Sequence, residues 1–464
     1  MSNQKYKSLT VQKWTHLATE NLVAWQSNNP NVYIDGNGWM FAPTDKLRPY
    51  GLATIKNSDG DEYSVTIVPW ETNRLELQIE KEYPSTSLQG LIVSRLSDRL
   101  LASDGSSLYE TTDDFTTLNY LSELPESFSN TPILETPHGY FARTSQNIYR
   151  STDLLAWTHE KSMDMSTLYH TWDYYFDGTN VYIYAGEYGT DRDHRFKVFR
   201  GVYSADGQGT WDAILEFFSQ NEYAADNSNV PKIRHVHLAT VDQRTGDLYI
   251  GTGDNNNESY LMLSQDNGST FRVLGRDSQV YRILSVWFTD EYIYWNMDTS
   301  ANQSVYRISR ADLANQSPEN DLREEVALLN CGSHWYHCWG KTPNGDDIVL
   351  MGVAPEGQPR DWLSRVFSFN ELSDGSVEVD EVISLPSSTP DVYDNGITIY
   401  SQLEPKFHHD GFVYLRGRYT DPPAGGENSV WLSGLLKTKL VNRTQPSKPK
   451  NWKQAFHFSK VSFG

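Results

Sequence analysis

Two cysteines in 464 residues leave no disulfide framework to hold this chain together. No apolar run approaches the ~18 residues that a membrane-crossing helix needs, so no membrane span is expected. The opening residues, "MSNQKY", are polar and lack an apolar core, so no signal peptide is present in this numbering. Positive charge is scarce as well: 39 Lys and Arg stand against 60 Asp and Glu, a formal net charge of −21. A nucleic-acid partner needs a basic face for its phosphates, and this balance argues against one. Helical periodicity is scarce throughout. The acidic balance suits solubility in an extracellular or salty medium, and a secreted or periplasmic monomer is expected.

What is present points to strands. There are 31 Gly, 20 Pro, 28 Tyr and 14 Trp, which suits many short strands joined by turns. The stretch "SQDNGSTF" at Ser264–Phe271 sets Asn267-Gly268 between two β-rich runs, a tight-hairpin signal because both residues tolerate positive φ. Asp266 and Ser264 would cap backbone N–H groups there. The same plan returns in "SADGQGTW" (Ser204, Asp206, Thr210, Trp211), and in worn form in "TTDDFTTL" (Thr111, Asp113, Thr117) and "STDLLAW" (Ser151, Asp153, Trp157). Starts at 111, 151, 204 and 264 give steps of 40, 53 and 60 residues, the range of stacked supersecondary units. On these residues the chain resembles the Asp-box repeat of sialidase-like β-propellers, in which the boxes are peripheral hairpin struts. Strand groups fall at 90–125, 130–165, 168–218, 230–278, 280–330, 333–385 and 396–440. They predict an all-β, seven-bladed propeller of four-stranded antiparallel blades. The expectation is one domain over 1–464: a cap or ring-closing strand in 1–50, blades in 51–445 and a tail in 446–464. A β-helix or sandwich would leave the hairpin boxes unexplained.

In such a fold the innermost strands line a channel and ligands bind at its mouth. His170, His235, His237, His334, His337, His408 and His409 fall on or beside those strands. Alternation in "RHVH" puts His235 and His237 on one face and Arg234 on the other. The segment "RDHRFKVFR" gathers Arg192, Arg195, Lys197 and Arg200 in an acidic chain, either an anion site or a charged edge strand. Tyr188, in "AGEYG", ends the second strand of the blade that His170 opens. A Tyr, several His and an Arg suit β-elimination from a uronic acid: Arg grips the carboxylate, and Tyr and His move the protons.

With the "GEYG", "VFR" and "RHVH" stretches and the decayed boxes, the chain resembles the seven-bladed propeller lyases that cleave ulvan, a sulfated uronic-acid polysaccharide. That resemblance implies a Tyr/His acid–base pair and an Arg neutraliser, which fall here on Tyr188, His170 or His235, and Arg200. His237, Arg234, Arg282, Trp295 and Arg192 are the candidate substrate contacts. The expected partner is an anionic polysaccharide or oligosaccharide, and no organic cofactor is expected.

A sialidase-like hydrolase is the second enzyme reading. The chain lacks that family's Arg-Ile-Pro motif, for which "LRPYG" at Arg48-Pro49 is a poor substitute, and it shows no assignable carboxylate pair. A non-catalytic sugar-binding propeller, with Trp172, Trp295 and Trp335 for stacking, is the third. Separately, "CGSHWYHC" crowds Cys331, His334, His337 and Cys338 into eight residues, donors that suit a structural zinc. On a strand His334 and Cys338 share a face and His337 points away, so a further ligand such as His408 or His409 would be needed. Two buried free thiols are the alternative.

Overall fold

The computed structural model describes the strands named below, and the connections between 92 and 329 apart from 98, 113–114, 116, 129–132, 167–168, 222–230 and 299–302. Among the described residues there is no α-helix, only single 3-10 turns such as Tyr169–Thr171 and Gln279–Tyr281. Seven sheets of four antiparallel strands follow one another, six of them in simple chain order.

The first sheet holds Ile92–Arg95, Leu100–Asp104, Ser107–Thr111 and Asn119–Glu123. The second holds Leu134–Thr136, Gly139–Arg143, Asn147–Ser151 and Thr158–Ser162. The third holds Trp172–Phe176, Val181–Gly186, Lys197–Tyr203 and Gly209–Glu216. The fourth holds His235–Val241, Leu248–Gly253, Tyr260–Ser264 and Arg272–Arg276. The fifth holds Ile283–Phe288, Tyr292–Met297, Gln303–Ser309 and Glu324–Leu329. The sixth holds His334–Lys341, Asp347–Val353, Leu363–Glu371 and Val377–Pro386.

The seventh joins Thr398–Tyr400, Phe412–Thr420 and Trp431–Asn442 to a distant strand, Leu75–Pro84. The sequence allowed a cap or a ring-closing strand in 1–50; the strand completing this sheet is Leu75–Pro84. Strands within residues 7–67 form two small sheets of their own, one with the parallel pair Lys7–Val11 and Glu62–Ile67. The physical reason is apolar matching: Leu75 is buried with Leu415 and Leu440 of the seventh sheet.

The core is not one mass but a series of layers between successive sheets. Leu101, Leu108 and Ala142 fill the layer between the first and second, and Phe141, Trp172 and Tyr203 that between the second and third. Tyr184, Phe196, Val236 and Ile250 fill the next, and Trp295 and Ile283 the one after. Trp287, Met351 and Phe367 then join the fifth sheet to the sixth. Each fully buried large apolar side chain contributes about 1.5–3 kcal/mol, and alternation lets both sheet faces feed neighbouring layers. The first strands also neighbour one another in sequence order from the second sheet to the seventh, and Thr398–Tyr400 neighbours Ile92–Arg95 of the first.

The four box-like stretches all lie between third and fourth strands. Ser264 Oγ donates to Asp266 Oδ1 (2.8 Å), whose carboxylate accepts from Thr270 N (2.8 Å) and Thr270 Oγ1 (2.7 Å). Asn267 and Gly268 take φ of 57° and 88°. Ser204–Asp206 and Ser151–Asp153 repeat the pairing, and Thr111 Oγ1 accepts from Phe115 N. Asp113 lies outside the described residues. Asp266→Ala should therefore lower unfolding free energy by about 1–2 kcal/mol, read by urea denaturation, with no effect on any activity.

Arginines brace neighbouring sheets at these hairpins. Arg150 donates to Gly207 O (3.1 Å), Arg200 to Asn267 O (2.6 Å) and Arg307 to Gly375 O (2.6 Å). In each case a third-strand arginine holds the outer turn of the following sheet.

Candidate functional site

The candidate site lies at one end of the third, fourth and fifth sheets. Antiparallel pairing brings the start of each first strand beside the end of its second, as Trp172 with Ala185, His235 with Gly253 and Ile283 with Met297. The chain just ahead of each first strand and just beyond each second strand therefore converges. His170 and Tyr188 come from the third sheet, Arg234, His235, His237 and Asp254 from the fourth, and Arg282 and Asp298 from the fifth.

Asp254 is the hub. Its Oδ2 accepts from Arg234 Nη1 at 2.6 Å, and its Oδ1 lies 3.2 Å from both His235 Nε2 and His237 Nε2 and 3.4 Å from Arg282 Nη2. Arg282 Nη2 also bridges to Asp298 Oδ2 at 2.9 Å. The two histidine Nε2 atoms are 2.8 Å apart, and His235 Nδ1 is 2.8 Å from Gly189 O. A register shift between Val236 and Leu238 reshapes the strand around this pair. Gly253 is required where it stands, because a Cβ there would run into the His237 ring.

Hydrogen bonds fix the supporting loops. Glu258 accepts from Asn255 N (3.1 Å), and Gln279 Nε2 donates to Asp254 O (2.9 Å), so Asp254 is held on both sides. Glu187 is fully buried and accepts from Asp164 N (3.0 Å), Lys197 N (2.9 Å) and His194 Nε2 (3.0 Å). Tyr188, next in the chain, is clamped by Tyr188 N to Ser166 O (2.6 Å) and by Ser166 Oγ to its own carbonyl (2.8 Å). Its ring stacks on His235 with centroids 4.0 Å apart.

Electrostatics follow from this packing. Burial works against the Asp254 carboxylate, but hydrogen bonds and charge from His235 and His237 outweigh it and hold its pKa well below the usual range. Burial, then the charges of Asp254 and Asp298, push the Tyr188 phenol up, with Arg234 and Arg282 opposing. Burial lowers His237 despite its carboxylate neighbours. Burial also lowers His337, to about 4. His170 is lowered by burial and then by the His337 and His237 charges, so it stays neutral.

That neutrality has a consequence for stability. The folded-state pKa of His170 lies below the unfolded value of ~6.5, so the unfolded chain takes the proton more readily. Its contribution is therefore absent above ~6.5 and becomes destabilising as pH falls below it. His170→Asn should flatten the fall of the urea midpoint between about pH 7.5 and about pH 5.

Of the sequence candidates, Tyr188, His235, His237, Arg234 and Arg282 are brought together, with His170 within electrostatic reach. Arg200 is not among them: a third-strand residue, it serves the hairpin of the next sheet. Trp295 is 1% exposed, its Nε1 held by Val280 O at 3.2 Å, and so presents no stacking surface. Arg192 is exposed, while Arg195 and Lys197 of the cationic island pair locally with Glu216 and Asp164.

In the cysteine segment, Cys338 is buried in the apolar layer facing the seventh sheet, whereas His337 hydrogen-bonds Ser285 of the fifth. These two neighbours thus sit on opposite faces of one strand. Cys331, His408 and His409, and the side chain of His334, lie outside the described residues. Sequence alone does not mark Asp254 and Asp298, although in "GTGD" and "WNMD" each is the acid that directly follows a second strand.

No family model and no curated protein matches the chain. Among solved structures it is similar to an ancestral GH74 enzyme, with a TM-score of 0.46 and 13% identity over 78% of this chain. The chain spans 47% of that enzyme's length. It is also similar to a chain of the mitotic checkpoint complex, with a TM-score of 0.46 and 9% identity, covering 79% of this chain and 95% of that one. Two such different proteins at this level of likeness leave function to be argued from the site itself.

Proposed function

We propose that the protein is a polysaccharide lyase that cleaves a uronic-acid-bearing, anionic polysaccharide by β-elimination, at the convergent end of the third to fifth sheets. The supporting observation is the meeting of two arginines and a stacked tyrosine around two buried histidines and the half-buried carboxylate of Asp254. The seven sheets are read as propeller blades. Neighbouring first strands run in order from the second sheet to the seventh and on to the first, as blades around a channel would.

In this mechanism Arg282 and Arg234 grip the substrate carboxylate, which lowers the barrier to removing the C5 proton. Neutral His170 takes that proton, the C5–H electrons form the C4–C5 double bond, and the C4–O4 bond breaks. The Tyr188 hydroxyl protonates O4 as it leaves. Proton return from His170 to Tyr188 through solvent resets the site, so charge and atoms balance without any co-reactant. Arg200 drops out of this scheme, and its removal gives a contrasting prediction. Arg200→Ala should cost about 1.5–3 kcal/mol of stability through the lost brace, with turnover per folded molecule unchanged.

The test is ultraviolet absorbance of the unsaturated uronate during incubation with ulvan and other uronate polysaccharides. Growth of that band on at least one of them supports the reading. Release of reducing ends without the band would mean hydrolysis, and neither signal would mean a binding module.

A further inference from the structure

We propose that His235, His237 and Asp254 form a binding site for one divalent transition-metal ion. Their three donor atoms make a triangle with edges of 2.8 Å between the histidine nitrogens and 3.2 Å from each nitrogen to Asp254 Oδ1. An ion with bonds of ~2.0–2.1 Å holds tetrahedral neighbours roughly 3.3 Å apart, so the triangle needs only slight opening. Two imidazoles and one carboxylate suit a first-row ion such as zinc, with further positions left open for water or substrate.

The proton inventory favours an ion over hydrogen bonds alone. Gly189 O only accepts, so His235 Nδ1 at 2.8 Å carries a proton, which leaves Nε2 as the ring nitrogen available to an ion. A single proton on His237 Nε2 can serve one edge of the triangle. His235 Nε2 and Asp254 Oδ1 lie 3.2 Å apart, and His237 Nδ1 is buried with no hydrogen-bond partner. Moving that proton to Nδ1 turns it towards Asp298 Oδ2, 3.9 Å away, and leaves Nε2 free to bind an ion beside His235 Nε2 and Asp254 Oδ1. A cation there gives His235 Nε2, His237 Nε2 and Asp254 Oδ1 one shared partner.

The surroundings have the form that metal ligands need. His235 is oriented by a backbone carbonyl, His237 faces a buried carboxylate, and the other Asp254 oxygen is fixed by Arg234 at 2.6 Å. Arg234 and Arg282 are matched in charge by Asp254 and Asp298, so the cluster carries no surplus positive charge to repel an ion. By contrast, the carboxylates of Asp164 and Glu187 near His194 are already taken by Lys197 Nζ and by backbone N–H groups. The assignment does not depend on the elimination reading, because metal uptake reads it without substrate.

The experiment adds cobalt(II), then zinc, to the full-length protein freed of metal by a chelator. One cobalt per chain, with visible ligand-field bands of a nitrogen–oxygen site and displacement by zinc, is the expected result. His237→Gln should weaken that binding by 100-fold or more, whereas Cys338→Ser should leave it unchanged. The wild-type spectrum decides even if His237→Gln folds poorly, since a thiolate site would add an intense charge-transfer band. No stoichiometric uptake would overturn the proposal. So would a thiolate band that survives His237→Gln and is lost in Cys338→Ser.

Discussion

Tyr188→Phe is expected to lower turnover on a uronate substrate by about 10²–10⁴-fold, with little change in fold or substrate affinity. The substitution removes one hydroxyl and keeps the ring that stacks on His235, so packing at the cluster survives. The backbone clamp through Ser166 is untouched as well. Steady-state kinetics and near-ultraviolet circular dichroism together check this. Loss of activity with an unchanged spectrum and KM is the predicted outcome, and near-normal turnover would remove Tyr188 from the chemistry.

Asp254→Ala should have the largest effect on stability, about 3–5 kcal/mol by chemical denaturation. One carboxylate serves Arg234, Arg282, His235 and His237, and its removal leaves two cations and two largely buried rings without their shared partner. Asp254→Asn should recover part of that loss through shape while still lacking the charge. A change under about 1 kcal/mol for Asp254→Ala would show that the cluster is not held together in this way.

The sheets were legible because their signals are local. Alternating apolar residues, turn glycines and the repeated "SQDNGSTF" plan are each written within about ten residues, and the strand groups read from them match the sheets from Ile92–Arg95 onward. The strand completing the seventh sheet was harder to find, because Leu75–Pro84 pairs with Trp431–Asn442 across most of the chain. Within the site, His235 and His237 were readable from strand alternation and Tyr188 from its place at a strand end. Arg200 took the neutraliser role from the lyase resemblance and its place in a cationic segment, while Arg282 was a candidate substrate contact. Only the three-dimensional arrangement shows Arg200 on a third strand reaching Asn267, and Arg282 opening a first strand between Asp254 and Asp298. Asp254 and Asp298 were passed over for a similar reason. Antiparallel pairing puts the residue following each second strand at the same end of the sheet as the start of the first strand, which a local sequence pattern does not reveal.

The most direct measurement of the central claim is the mass of the oligosaccharides released from a uronate polysaccharide by wild-type protein and by Tyr188→Phe. Elimination predicts wild-type products whose new non-reducing ends are one water lighter than hydrolysis products, and almost none of them from the variant. Products carrying the added water, or equal yields from both proteins, would contradict the account.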